Sequence, residues 1–219
     1  MRVLVFASQK GGVGKSTLAS SIAAAARGAG ENVVLVDMDP QGSMADWVKA
    51  RDHLSEHEEP APAKIYLREV KPANLDAWIT ETRKVPGISL VVIDTAGTFG
   101  PEVEVALKHA DLALVPVQPS AHDIRATGKT VGQIRRVGGV FAFVLNRTNP
   151  VQARKTSEVM AALTVAGDVA GIVADRTDFR DSAASGLGVT EAAPESKAAR
   201  EIELLWKAIQ KRMEIKDAA

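Results

Sequence analysis

The chain contains no cysteine. Disulfide cross-links, Cys-ligated zinc and iron–sulfur clusters are therefore excluded, and a reducing, cytosolic setting is compatible with the sequence. Aromatic residues are scarce, at 4% of 219 residues, so aliphatic and alanine packing must fill the interior. No run of about 18 apolar residues is present to span a bilayer. The opening MRVLVFASQKGG holds too short an apolar stretch to predict a secretory leader. Net charge is lacking too, because 27 basic residues balance 27 acidic ones. That balance hides an uneven distribution. Residues 52–59, DHLSEHEE, are acidic, whereas residues 124–157 carry Arg125, Lys129, Arg135, Arg136, Arg147, Arg154 and Lys155 and no acid. Such a run is either a solvated helix face or a surface for a polyanion.

Short, continuously apolar runs alternate with alanine-rich helical stretches. Strands are predicted at 3–7, 33–37, 90–94, 112–116, 140–146 and 169–174. Helices are predicted near 15–27, 43–51, 74–84, 102–108, 124–137 and 152–162, with a last one after Pro194, over about 195–213. Strands without polar alternation are buried on both faces, and their alternation with helices implies a mostly parallel twisted sheet covered on two sides. The expectation is a single α/β domain over 1–219 with the last helix packed on it. Only 55–63, with two prolines and several acids, reads as loose.

The first strand runs into Gln9-Lys10-Gly11-Gly12-Val13-Gly14-Lys15-Ser16-Thr17, and a helix begins. Glycines let backbone amides turn inward onto phosphate oxygens, and the helix N-terminus points its dipole at the same anion. Lys15 is placed to reach the β- and γ-phosphates, and the Ser16 hydroxyl to ligate Mg²⁺. Two further signals lie at strand ends. Asp37-Met38-Asp39-Pro40-Gln41-Gly42 puts two carboxylates in a turn beside that loop. Leu90-Val91-Val92-Ile93-Asp94 is an apolar strand ending in a carboxylate, the Walker B pattern, with Asp94 a Mg²⁺ ligand. The guanine-reading Asn-Lys-x-Asp is missing, since the late strand ends Asn146-Arg147-Thr148-Asn149.

The loop departs from the ordinary P-loop NTPase motif: Gln9 stands where glycine is usual, and a lysine, Lys10, follows it. In this form, KGGVGKST resembles the deviant Walker A motif of the ParA/MinD family, and DMDPQGS and the strand ending in Asp94 match the same family. The resemblance implies ATP and Mg²⁺ as cofactors and an ATP-sandwich homodimer in which Lys10 crosses to the partner's nucleotide. It implies that Asp39 positions the attacking water and helps hold the metal, and that Asn146 contacts adenine. Relatives that need cysteines or a tyrosine cluster are set aside, because cysteine is absent and Tyr66 is the only tyrosine.

Three outputs stay open. A ParA-like partition ATPase would bind DNA without sequence preference, act with a ParB-like adaptor, and sit in the cytoplasm on the nucleoid. Its candidate contacts are Arg176, Arg180, Lys197 and Arg200, with Arg135 and Arg136 a second set. A MinD-like positioning ATPase would need a membrane-binding C-terminal helix. Ile202, Leu205, Trp206, Ile209 and Met213 do recur at helical spacing, but Glu203, Glu214 and Asp217 spoil a surface for anionic lipid, so no membrane partner is expected. A small-molecule ligase or kinase on the same scaffold would not need Lys10 or the Asp-Pro-Gln turn.

Overall fold

The computed structural model describes residues 1–57, 61–98 and 100–217. Seven strands form one parallel sheet: β1 (Arg2–Phe6), β2 (Val33–Asp37), β3 (Tyr66–Arg68), β4 (Leu90–Asp94), β5 (Leu112–Val117), β6 (Phe141–Thr148) and β7 (Val169–Ala174), in the order β3-β2-β4-β1-β5-β6-β7. Successive side chains of a strand point to opposite faces. In β1, Leu4 and Phe6 join one core while Val3 and Val5 join the other. Both faces must therefore be covered. One carries α1 (Lys15–Gly28), α2 (Ser43–His57), α7 (Thr177–Ala184), α8 (Val189–Ala192) and α9 (Lys197–Asp217). The other carries α3 (Leu75–Thr82), α4 (Pro101–His109), α5 (Ala121–Arg136) and α6 (Ala153–Ala166).

The alanines of α1 permit close packing. Ala23, Ala24 and Ala26 are buried, and the chain entering α8 comes so near that a Cβ on Gly188 would lie 2.4 Å from Ala24 Cβ. Beside it, the predicted apolar stripe of α9 is used in full. Ile202, Leu205, Trp206, Ile209 and Met213 are all buried, and α9 lies against β7, α1 and α8.

Several boundaries differ from expectation. Helix α2 runs to His57, so residues 55–57 of the segment expected to be loose are helical, and 58–60 lie outside the described residues. Strand β3 was not anticipated; it is three residues long, at the sheet edge, with Tyr66 49% exposed. Helices α7 and α8 were also unassigned, being eight and four residues long.

The topology positions the site. From β1 the chain passes to β2 and then β3 on one side and inserts β4 between β2 and β1, then crosses to build β5, β6 and β7 on the other. At such a switch point the loops leaving adjacent strands diverge and open a crevice at their carboxyl ends. The loops after β1, β2, β4, β5 and β6 all meet there.

Candidate functional site

The loop between β1 and α1 is shaped by glycine where geometry demands it. Gly12 and Gly14 have φ of 73° and 92°, a region disfavoured for residues with a Cβ. At Gly14 a Cβ would also stand 2.4 Å from Asn146 Nδ2. Side chains from two other strand ends hold the loop's carbonyls. Gln118 Nε2 and an Arg147 guanidinium nitrogen each donate to the Gly12 carbonyl at 3.0 Å, and Asn146 Nδ2 donates to the Val13 carbonyl at 2.8 Å. With those carbonyls engaged from behind, the amides of Gly11 to Thr17 and the positive end of α1 are left to meet an anion. Lys15, buried at 6% exposure, opens α1 with Ser16 and Thr17 following it.

Asp94 ends β4 in parallel register with Phe6, the last residue of β1. It is fully buried, and neither carboxylate oxygen meets a donor in hydrogen-bonding geometry, the Ser16 hydroxyl standing only near enough to favour the charged form. Burial pushes its pKa up to about 7; the Ser16 hydroxyl and the Lys15 ammonium draw it down, and Asp37 and Asp39 add to the rise. A carboxylate so placed is in want of a cation, and a hard divalent ion with oxygen ligands such as Mg²⁺ fits this donor set. Ser16 and Asp94 would hold it.

The two aspartates of the turn after β2 differ. Asp37 is a structural cap: its oxygens accept from the amides of Asp39, Met44 and Ala45 at 3.0–3.2 Å and fix the start of α2. Asp39 is half-buried, and one of its oxygens accepts from the Gln41 amide at 3.0 Å. The Met38 amide donates to the Asp94 carbonyl at 2.9 Å, which ties this turn to the end of β4. After Asp94, Thr95 Oγ1 donates to the Phe6 carbonyl at 2.8 Å, and Gly97 lies so close that a Cβ would be 3.3 Å from the Gly11 amide nitrogen.

Lys10 does not point into its own loop. Its ammonium pairs with Asp123 in the first turn of α5, a carboxylate that also bonds the Ser120 hydroxyl. Burial pushes the Asp123 carboxyl up, but the Lys10 and Ser120 hydrogen bonds outweigh it and hold the pKa below the ordinary value. The match to the family model of the CobQ/CobB/MinD/ParA nucleotide binding domain extends over residues 4–189. The chain belongs to that family. Among ParA/MinD relatives, Protein IncC of Escherichia coli is 28% identical, covering 98% of this chain and 71% of its own. The maintenance of carboxysome distribution protein A of Gloeobacter kilaueensis is 32% identical, over 76% of this chain and 72% of its own. The septum site-determining protein MinD of Pyrococcus horikoshii, solved with Mg-ADP, superimposes with a TM-score of 0.79 over 98% of both chains at 17% identity. The last likeness is one of fold.

In this ParA/MinD-family chain, a cavity of about 120 Å³ adjoins the loop between Thr17, Asn146, Arg147, Asp175, Arg176 and Arg180. The bond from Asn146 Nδ2 to Val13 fixes the amide's orientation and leaves its carbonyl oxygen, an acceptor of the kind the exocyclic amine of adenine needs, without a partner among the described residues. Two of the candidate DNA contacts therefore sit beside this cavity. Arg176 is further engaged, bonding Glu201 of α9 at 2.7 Å, which raises its pKa. Lys197 and Arg200 are exposed at the start of α9, and Arg200 lies 3.8 Å from Glu195. All seven basic residues of 124–157 are exposed. Arg125, Lys129 and Arg136 share one face of α5 and have no hydrogen-bond or ion-pair partner among the described residues, whereas Arg135 bonds the Ala166 carbonyl.

Asp123, Gln118 and Arg147 were not assigned a role from sequence. Asp123 lies 113 residues from Lys10, and Gln118 106 from Gly12. Arg147 carried one local signal, basic character at a strand end, but its φ of 53°, rare outside glycine, is a property of the fold.

Proposed function

We propose that this chain is an ATP-dependent switch ATPase that forms a homodimer around ATP and Mg²⁺, binds DNA without sequence preference in that form, and partitions or positions DNA or another cargo. The observation that carries this reading is the pair formed by KGGVGKST and Asp94: a phosphate loop with a surplus lysine, facing a buried carboxylate that lacks a partner. Lys10 and Lys15 neutralise the triphosphate, Ser16 and Asp94 hold the metal, and Asp39 orients water in line with the γ-phosphate. The work is positioning and charge stabilisation. Because Lys10 is held in cis by Asp123, reaching a partner's nucleotide requires that ion pair to open, and turnover is slow until a ParB-like adaptor stimulates it.

The DNA output draws support from two features. The α5 face of Arg125, Lys129 and Arg136 offers unpaired cations, and the apolar stripe of α9 is spent on the core, which leaves little for lipid. The fold likeness to MinD favours a second reading, a membrane-positioning ATPase, but the burial of that stripe speaks against it. If each subunit meets about three phosphates, the log–log salt slope is roughly −2.7 for a monomer and −5.4 for a dimer. Fluorescence anisotropy with arbitrary duplex DNA should therefore show salt-sensitive binding with ATP and feeble binding with ADP. Equal binding with the two nucleotides removes the DNA-switch reading. Flotation with anionic liposomes in ATP would favour the membrane reading instead.

A further inference from the structure

The acidic stretch at the end of α2 contains two of the chain's four histidines. His53, Glu56 and His57 stand at i, i+3 and i+4, so helix geometry puts them on one face. All three are exposed, and one ligand atom from each lies within 4.8 Å of the others. The two imidazole rings are 4.3 Å apart between centroids.

A second observation bears on the chemistry. His57 Nδ1 lies 2.7 Å from the backbone carbonyl of His53. A carbonyl only accepts, so Nδ1 carries the proton, and the neutral ring presents its lone pair at Nε2. This is the arrangement that orients histidines toward metals: one nitrogen donates to a backbone oxygen and the other ligates.

We propose that His53, Glu56 and His57 form a surface site for a borderline divalent transition cation, with zinc as the reference ion. Two imidazoles and one carboxylate suit zinc, cobalt, nickel or copper, whereas Mg²⁺ and Ca²⁺ favour all-oxygen sets. This separates the site from the Mg²⁺ assigned to Ser16 and Asp94. Zinc bonds of about 2.1 Å in tetrahedral geometry place donors about 3.4 Å apart. The three ligand atoms lie within 4.8 Å of one another on exposed side chains, whose rotation would draw them to that value. Three protein ligands leave the remaining coordination to water. The site lies in the last turn of the helix that follows the Asp39 turn, and occupancy ties that turn together.

The test is a zinc chloride titration of the full chain carrying no affinity tag, with Mg²⁺ in excess, followed by calorimetry and by thermal melting. The expected result is one equivalent bound and a raised melting temperature, with binding weakened by at least about tenfold in His53→Ala or His57→Ala, since losing even a group that orients a ligand costs that much. Far-UV circular dichroism verifies that these exposed substitutions leave the fold intact. His109→Ala and His122→Ala retain the zinc affinity. The inference is overturned if the wild-type chain shows no saturable uptake, or if the double variant of His53 and His57 binds zinc as tightly as the wild type.

Discussion

Asp94 is buried without a hydrogen-bond partner, so its charge is held at the expense of stability. A pKa raised from 3.8 to about 7 means that the folded chain holds this proton more tightly than the unfolded chain does. The group's stabilising effect is therefore complete below about pH 4 and is lost as pH rises through about 7. Once it is fully ionised, the cost is on the order of 4 kcal/mol. In the absence of nucleotide and metal, Asp94→Asn should melt at a higher temperature than wild type at pH 8, with the gap closing toward pH 4. The same variant should lose the Mg²⁺ dependence of ATP binding in a calorimetric titration. Lys10 and Asp123 give a second residue-scale expectation. A partly buried, charge-assisted pair is worth about 1.5 kcal/mol. Asp123→Asn should therefore release Lys10 and tighten ATP-dependent self-association on the order of tenfold, as read by sedimentation velocity. Unchanged self-association would mean that the pair does not restrain Lys10.

At the scale of elements, α2 is fastened at both ends of its buried face. Asp37 caps its start, and Arg51, 1% exposed, bonds the carbonyls of Ala63 and Gly186 and both carboxylate oxygens of Glu191, at 2.6 and 2.8 Å. This latch joins the helix that follows the Asp39 turn to the α7–α8 segment. Removing one partner of a buried pair strands the other. Arg51→Ala should therefore cost about 3 kcal/mol, the lower end of the usual range because Glu191 is 24% exposed. For a chain of this length that is a fall of roughly 6–12 °C in Tm, measurable by calorimetry. The same contrast between local and distant contacts explains what could be read in advance. The β1–loop–α1 unit, the β2 turn and Asp94 were legible because strand, turn and motif are contiguous. The role of α9 as core was legible from the spacing of Ile202 through Met213. Strand β3 was not, because its three residues, two of them exposed, gain their strand character only by pairing with β2. Asp123, Gln118, Arg147 and the Arg51–Glu191 latch were not, because each partner lies more than 100 residues away. The division of labour between Asp37 and Asp39 also depended on the fold, since the sequence offers two carboxylates in one turn and only the hydrogen bonds show that Asp37, not Asp39, caps α2.

For the whole molecule, one parallel sheet carries the glycine loop, the buried carboxylate of Asp94 and the Asp37–Asp39 turn on the ends of the adjacent strands β1, β4 and β2, with Lys10 in the loop after β1. A homodimer switch needs a second copy to complete that site. The decisive measurement is the molar mass of Asp39→Ala by light scattering after gel filtration with ATP and Mg²⁺. A stable species of twice the chain mass is expected with ATP, a monomer with ADP, and a monomer in both for Lys15→Ala. The same mass with ATP, with ADP and with no nucleotide would rule out the nucleotide-switched dimer.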